Sequence, residues 1–99
     1  MAEKEVKWSE RAEKELTDIL NFYLERNASN RYCLKLLDKI NRKINLIKRF
    51  NFIGRLSEDE DVRVTGVEEF QIFYSVTDDL IEIMSFWDSR QNPEKRIDQ

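Results

Sequence analysis

Few side chains in this sequence could carry chemistry. It holds 17 Lys/Arg and 20 Asp/Glu but no histidine. That removes the commonest general base near neutral pH and the commonest zinc ligand. What remains is arginine and carboxylate chemistry. In the run FWDSRQNP, Asp88 and Arg90 stand two residues apart. A guanidinium at Arg90 would stabilise charge on phosphate oxygens through paired N–H donors; the alternative is an ion pair with Asp88 that fixes the chain after the last strand. Asp88 could act as a general base, but beside Arg90 it is expected to stay ionised and structural. Arg63 alternates with Val62 and Val64, so it leaves the sheet on the face opposite theirs. There it meets either an anion or an acidic neighbour such as Glu82 or Glu69.

Charge is unevenly distributed. The net value is −3, but residues 1–56 carry 13 Lys/Arg against 8 Asp/Glu, while residues 57–99 carry 4 against 12. An acidic chain has no general attraction for nucleic acid, so any phosphate contact must be local. The basic excess is densest around Lys35, Lys39, Arg42, Lys43, Lys48 and Arg49, opposed only by Asp38 within 15 residues. Lys35, Lys39 and Arg42 recur at helical spacing and form a candidate docking face for an acidic partner, whether a protein segment or nucleic acid. The alternative is a solvated face paired with Glu13 or Glu25. Arg55 stands alone before the acidic run SEDED, so no phosphate-binding cluster forms there.

The elements that must position these residues follow from periodicity. Residues 5–8 (EVKW) alternate as a short strand. Ser9 reads as a helix cap with Glu10 and Glu13 in the first turn, and Ala12, Leu16, Ile19, Leu20 and Tyr23 give one apolar face. Asn27, Ala28 and Ser29 interrupt the pattern, so the first helix is expected to end near Arg26; a second helix, capped by Ser29 or Asn30, carries Cys33, Leu36, Leu37, Ile40, Ile44 and Ile47, with Phe50 near its end. A link of a few residues makes the pair an antiparallel hairpin. Three β-type runs follow, residues 62–67, 70–76 and 80–87, with turns expected at Gly66 and at Thr77, Asp78 and Asp79; they form an antiparallel meander. Strict alternation puts Phe70, Ile72, Tyr74 and Val76 in the core, with Phe73 and Gln71 on the other face to meet a ligand. It sets Ile81, Ile83, Ser85 and Trp87 against Met84 and Phe86. Of Phe86 and Trp87, one is expected in the core and the other partly exposed. Asn92 and Pro93 read as a turn that ends the strand. The fold class is α+β, in the order β-α-α-β-β-β, with the hairpin on one face of a small antiparallel sheet.

That order, together with VKWS, VRVTGVEEFQIFYSV and IMSFWDSRQNPEK, resembles the RelE/ParE family of type II toxin–antitoxin toxins over nearly the whole chain. The resemblance implies a toxin neutralised by a cognate antitoxin, touching operator DNA only through that antitoxin. RelE-like members cleave mRNA on the ribosome with basic and aromatic residues; ParE-like members inhibit DNA gyrase by binding. Arg90 matches the arginine that contacts the scissile phosphate in the ribonuclease branch, and Arg63 the arginine of its second strand. Asp88 stands where many relatives carry histidine. The lysine cluster and the terminal tyrosine of the cleaving branch are missing, so the resemblance leans towards inhibition by binding, with Arg90, Arg63 and Asp88 as the candidate catalytic set should cleavage hold. Lys35, Lys39, Arg42, Arg55, Phe73 and Trp87 are the candidate antitoxin or target contacts.

At 99 residues the chain is expected to form one domain. No apolar run is long enough to span a bilayer, and MAEKEVKW lacks the core of a secretory signal. A single cysteine, Cys33, cannot close an internal disulfide; with the absent leader it points to a reducing cytoplasm. No cofactor or metal is expected.

Overall fold

The computed structural model describes residues 4–91 and 95–97. Local signals set the helices. The Ala12 N–H donates to Ser9 Oγ at 3.0 Å, and Glu10 and Glu13 occupy the first turn of α1 (Glu10–Asn27). The helix stops where Ala28 takes the left-handed backbone, φ 50°. Helix α2 (Arg31–Arg49) buries Cys33, Leu36, Ile40, Ile44 and Ile47, the expected stripe. Phe50 departs from it. The helix ends at Arg49, so the Phe50 ring turns outward beneath the Arg49 guanidinium, 5.6 Å away, and lies 55% exposed.

Among the described residues, five strands follow the order β1-β5-β4-β3-β2, with β1 Glu5–Trp8, β2 Arg55–Leu56, β3 Arg63–Val67, β4 Phe70–Val76 and β5 Leu80–Asp88. The β3–β4–β5 meander is antiparallel, as the sequence predicts. The sheet as a whole is mixed, because β1 lies parallel to β5, with Val6 beside Ile81 and Trp8 beside Ile83. A parallel neighbour needs a long crossover, and both helices and three strands separate β1 from β5. Strand β2 was not expected; two residues are too few to leave a periodic signal.

Two further differences come from the strands. Gly66 lies inside β3, and the turn is made by Glu68 and Glu69, with Glu68 at φ 55°. Register also slips where Tyr74 faces Ile83 but Phe73 faces Ser85, leaving Met84 as an extra residue in β5. This bulge breaks strict alternation. Phe86, not Trp87, therefore joins Ile81 and Ile83 beneath the helices, and its ring stacks on Phe70 at 5.2 Å.

The larger core lies between hairpin and sheet, joining Ala12, Leu36, Ile40, Ile44 and Ile47 to Phe70, Ile72, Tyr74, Ile81, Ile83 and Phe86. A smaller cluster of Val62, Val64, Phe73 and Trp87 occupies the opposite face, with Met84 and Ile97 against it. Among the described residues, no strand lies beside the edge of β5 beyond Ile83, and α1 serves that edge instead. Ser9 donates its N–H to Ile83 O at 2.9 Å and its hydroxyl to Met84 O at 3.1 Å, while Glu15 Oε1 accepts the Phe86 N–H at 3.2 Å and the Ser85 hydroxyl at 2.7 Å. These bonds fix α1 against the last turn of the sheet. Among the described residues, no helix is long and apolar enough to cross a membrane.

Candidate functional site

Asp88, the last residue of β5, organises the chain that follows it. One carboxylate oxygen accepts the Arg90 backbone N–H at 2.9 Å and Arg90 Nε at 2.9 Å, while the other accepts Arg90 Nη2 at 2.7 Å. The Gln91 N–H donates to Asp88 O at 3.0 Å and closes the turn. The guanidinium is thus gripped as a fork, and the same Nη2 also reaches the Tyr23 hydroxyl at 3.0 Å. Hydrogen bonding from Arg90 holds the Asp88 carboxyl below its ordinary range against the opposing effect of burial. The bonds to Asp88 and then to Tyr23 push the guanidinium further towards its charged form.

This cluster lines a groove of about 670 Å³ between α1 and the end of β5, with walls including Ile19, Phe22, Tyr23, Arg26, Phe86 and Arg90. Tyr23 sits one turn before the end of α1; its ring meets Phe22 edge-on at 5.1 Å and Tyr32 at 4.5 Å. Tyr32 in turn lies 3.4 Å from Glu69 Oε1, and burial first, then that carboxylate, raise its hydroxyl pKa. The acids around the groove are already engaged: Glu15 by Ser85, Phe86 and Arg11, Asp18 by Lys14, and Asp88 by Arg90. Among the described residues, the arrangement presents a tethered cation and aromatic edges, with no unengaged base beside Arg90.

The other candidate residues are scattered. Arg63 leaves β3 on the face opposite Val62 and Val64, as expected, but that face is the one the helices cover. Its Nη1 donates to Gly54 O at 2.8 Å and its guanidinium lies 4.8 Å from the Phe52 ring, so it pairs with neither Glu82 nor Glu69. Through Tyr74, Arg63 stands level with Ile83, five residues before Asp88, or about 16 Å along the strands at ~3.3 Å per residue. Arg63 and Arg90 therefore do not form one site.

Phe73 and Trp87, expected to meet a partner, are both buried under Met84 and Ile97. Among the described residues, the Trp87 indole N–H finds no hydrogen-bond partner. On α2, Lys39 pairs with Glu68 of the β3–β4 turn and Arg42 with Asp38 at 3.0 Å, rather than with Glu13 or Glu25. Lys35 and Arg55 are exposed. Asn92 and Pro93 lie outside the described residues. Sequence reasoning assigned Tyr23 to the core and missed its role against Arg90; the available signal was a hydroxyl on an apolar stripe three residues before Arg26.

The family described as ParE toxin of type II toxin–antitoxin system, parDE, matches residues 6–93. No curated protein matches the sequence. Among solved structures, a chain of the chromosomal ParDE toxin–antitoxin system from P. aeruginosa is similar at a TM-score of 0.73 and 22% identity, covering 86% of this chain and 95% of that one. The YoeB dimer from Staphylococcus aureus gives 0.62 and 20%, covering 87% and 97%. The E. coli DinJ–YafQ toxin–antitoxin complex gives 0.57 and 12%, covering 88% and 93%. At these identities the likeness is one of fold.

Proposed function

This chain belongs to the ParE toxin family of type II toxin–antitoxin systems, and we propose that it restrains growth by binding its target, DNA gyrase, without cutting RNA. The observation that carries this reading is the Asp88 fork. An RNA-cleaving site needs a group to take the 2′-hydroxyl proton and a cation free to meet the phosphate. Here the carboxylate beside Arg90 is held ionised in an ion pair, the chain has no histidine, and Arg63 is remote. A gripped arginine on an aromatic-edged groove suits recognition of a protein surface, where arginine and aromatic residues anchor contacts.

A cognate antitoxin is the second partner. The ParDE and DinJ–YafQ structures are named as toxin–antitoxin systems, and an acidic, amphipathic antitoxin segment would complement the exposed Lys35, Lys39 and Arg42 face. Operator DNA is then met only through the antitoxin. Two other readings predict different outcomes: a ribosome-dependent mRNA endonuclease, and a non-toxic antitoxin-binding module. Purified chain is expected to inhibit gyrase supercoiling, and induced cells to stop growing with mRNA intact by primer extension. New mRNA ends that vanish with Arg90→Ala would overturn the reading in favour of cleavage, and healthy growth after induction without antitoxin would favour the non-toxic module.

A further inference from the structure

Arg90 stands beyond the last strand with its side chain 60% exposed, so its direction depends on what holds its turn. The Asp88 fork and the Gln91 N–H fix that turn within itself. Two further contacts fix it against the rest of the fold. Ser89, between Asp88 and Arg90, donates its N–H at 3.0 Å and its hydroxyl at 2.7 Å to Glu69 O. Arg90 Nη2 meets the Tyr23 hydroxyl at 3.0 Å. The Tyr23 ring lies 4.5 Å from the Tyr32 ring at an angle of 40°, and the Tyr32 hydroxyl reaches Glu69 Oε1 at 3.4 Å. Both supports therefore end on Glu69, the second residue of the β3–β4 turn. Its neighbour Glu68 pairs with Lys39, so both acids of the turn are tied to α2.

We propose that Glu69 is a positioning residue for Arg90, acting through Ser89 with its carbonyl and through Tyr32 and Tyr23 with its carboxylate. The physical reason lies in how a long, exposed side chain keeps one direction. Left to itself it samples many rotamers, and ordering it costs entropy. The fork ties Arg90 only to Asp88, so fork and turn could still pivot together about the end of β5. The bond to Glu69 O stops that pivot at the main chain. The Tyr23 hydroxyl stops it at the guanidinium, and stands where it does because its ring packs on Tyr32. The Glu69 carboxylate, half-buried beside α2, holds Tyr32 in turn, and a charged acceptor makes the stronger hydrogen bond. Arg90 is thus aimed before any partner arrives, which lowers the ordering cost of binding. The proposal rests on the reading of Arg90 as a target contact only for its effect on inhibition.

Substituting the Glu69 side chain leaves its carbonyl in place, so the two arms can be cut separately. Heteronuclear NMR of the full chain follows the Arg90 Nε–H, which exchanges slowly with water while Asp88 holds it; Arg90→Lys identifies the signal by its loss. Glu69→Ala and Tyr32→Phe should each raise the exchange rate about threefold to tenfold, the equivalent of one net hydrogen bond. Combined, they should add little further, because both cut the same arm. Glu69→Gln keeps an acceptor for the Tyr32 hydroxyl and should stay within about twofold of the parent chain. Ser89→Ala cuts the other arm and should raise the rate further on top of Glu69→Ala. An exchange rate unmoved by Glu69→Ala overturns the proposal. So does full additivity of Glu69→Ala with Tyr32→Phe, or a Gln variant that behaves as Ala, since a merely stabilising side chain would give either. Should Tyr32→Phe unfold by circular dichroism, the contrast of Ala with Gln at Glu69 decides alone. The concentration of chain that half-inhibits gyrase should rise in step with exchange. Exchange that moves as expected while inhibition stays constant would uphold the positioning role and remove only the reading of Arg90 as the target contact.

Discussion

Asp88 spends its carboxylate on three hydrogen bonds from Arg90, and this decides what either residue can do. The native state holds the Asp88 proton less tightly than the unfolded chain, chiefly because Arg90 bonds the ionised form. The fork therefore contributes its stability above the ordinary carboxylate range near pH ~4 and loses it as pH falls through the depressed native value. Acid titration should show this as a decline in melting temperature, and Asp88→Asn should remove that part of the decline; an unchanged acid limb would show that the turn holds without the ion pair. Tyr74 offers a second test. Its buried hydroxyl accepts the Gly54 N–H at 2.9 Å and donates to Asn51 O at 2.9 Å. A Cβ at Gly54 would meet that hydroxyl oxygen at 2.8 Å, so the glycine is required by close approach. Tyr74→Phe leaves both backbone groups without their partner and should cost about 1–3 kcal/mol in urea unfolding. A loss below ~0.5 kcal/mol would mean water replaces the hydroxyl.

The helices follow from single-element signals: a serine cap, acids in the first turn, and apolar residues every three or four positions. The strands do so less completely, because their faces depend on register. The extra residue at Met84 puts Phe86 under the helices and Trp87 on the opposite face, which no alternation count could reveal. The β3–β4 turn was misplaced for a related reason. Glycine usually marks a turn, but here Glu68 takes the left-handed backbone at φ 55° and Gly66 stays in the strand. The first residue of such a two-residue connection favours glycine. Glu68→Gly should therefore exceed Glu68→Gln in stability by about 0.5–1 kcal/mol, since both lose the ion pair with Lys39 and only one relieves the backbone. Equal melting curves for the two variants would show that the turn relaxes at no cost.

A chain of 99 residues buries only ~60–65% of its unfolded surface, so a ligand of the native state should stabilise it visibly. Antitoxin at a hundred times its Kd would add ~2.7 kcal/mol, or roughly 10–20 °C in Tm for a domain this size. A shift of a degree or two in thermal scans at saturating antitoxin would mean that the partner also holds the unfolded chain. The order of elements, both helical faces and the antiparallel meander were legible in the sequence, because each depends on residues close together along the chain. Family resemblance was legible for the same reason, carried by short runs in a fixed order. The absence of histidine, which narrows the chemistry, needs no structure at all. Tertiary structure alone decided that β1 lies parallel to β5, that α1 guards the free end of β5, that Tyr23 meets Arg90, and that Arg63 and Arg90 stand apart. Each of those is a relation between distant segments, fixed by register and by which face the hairpin covers, and neither is encoded in local spacing.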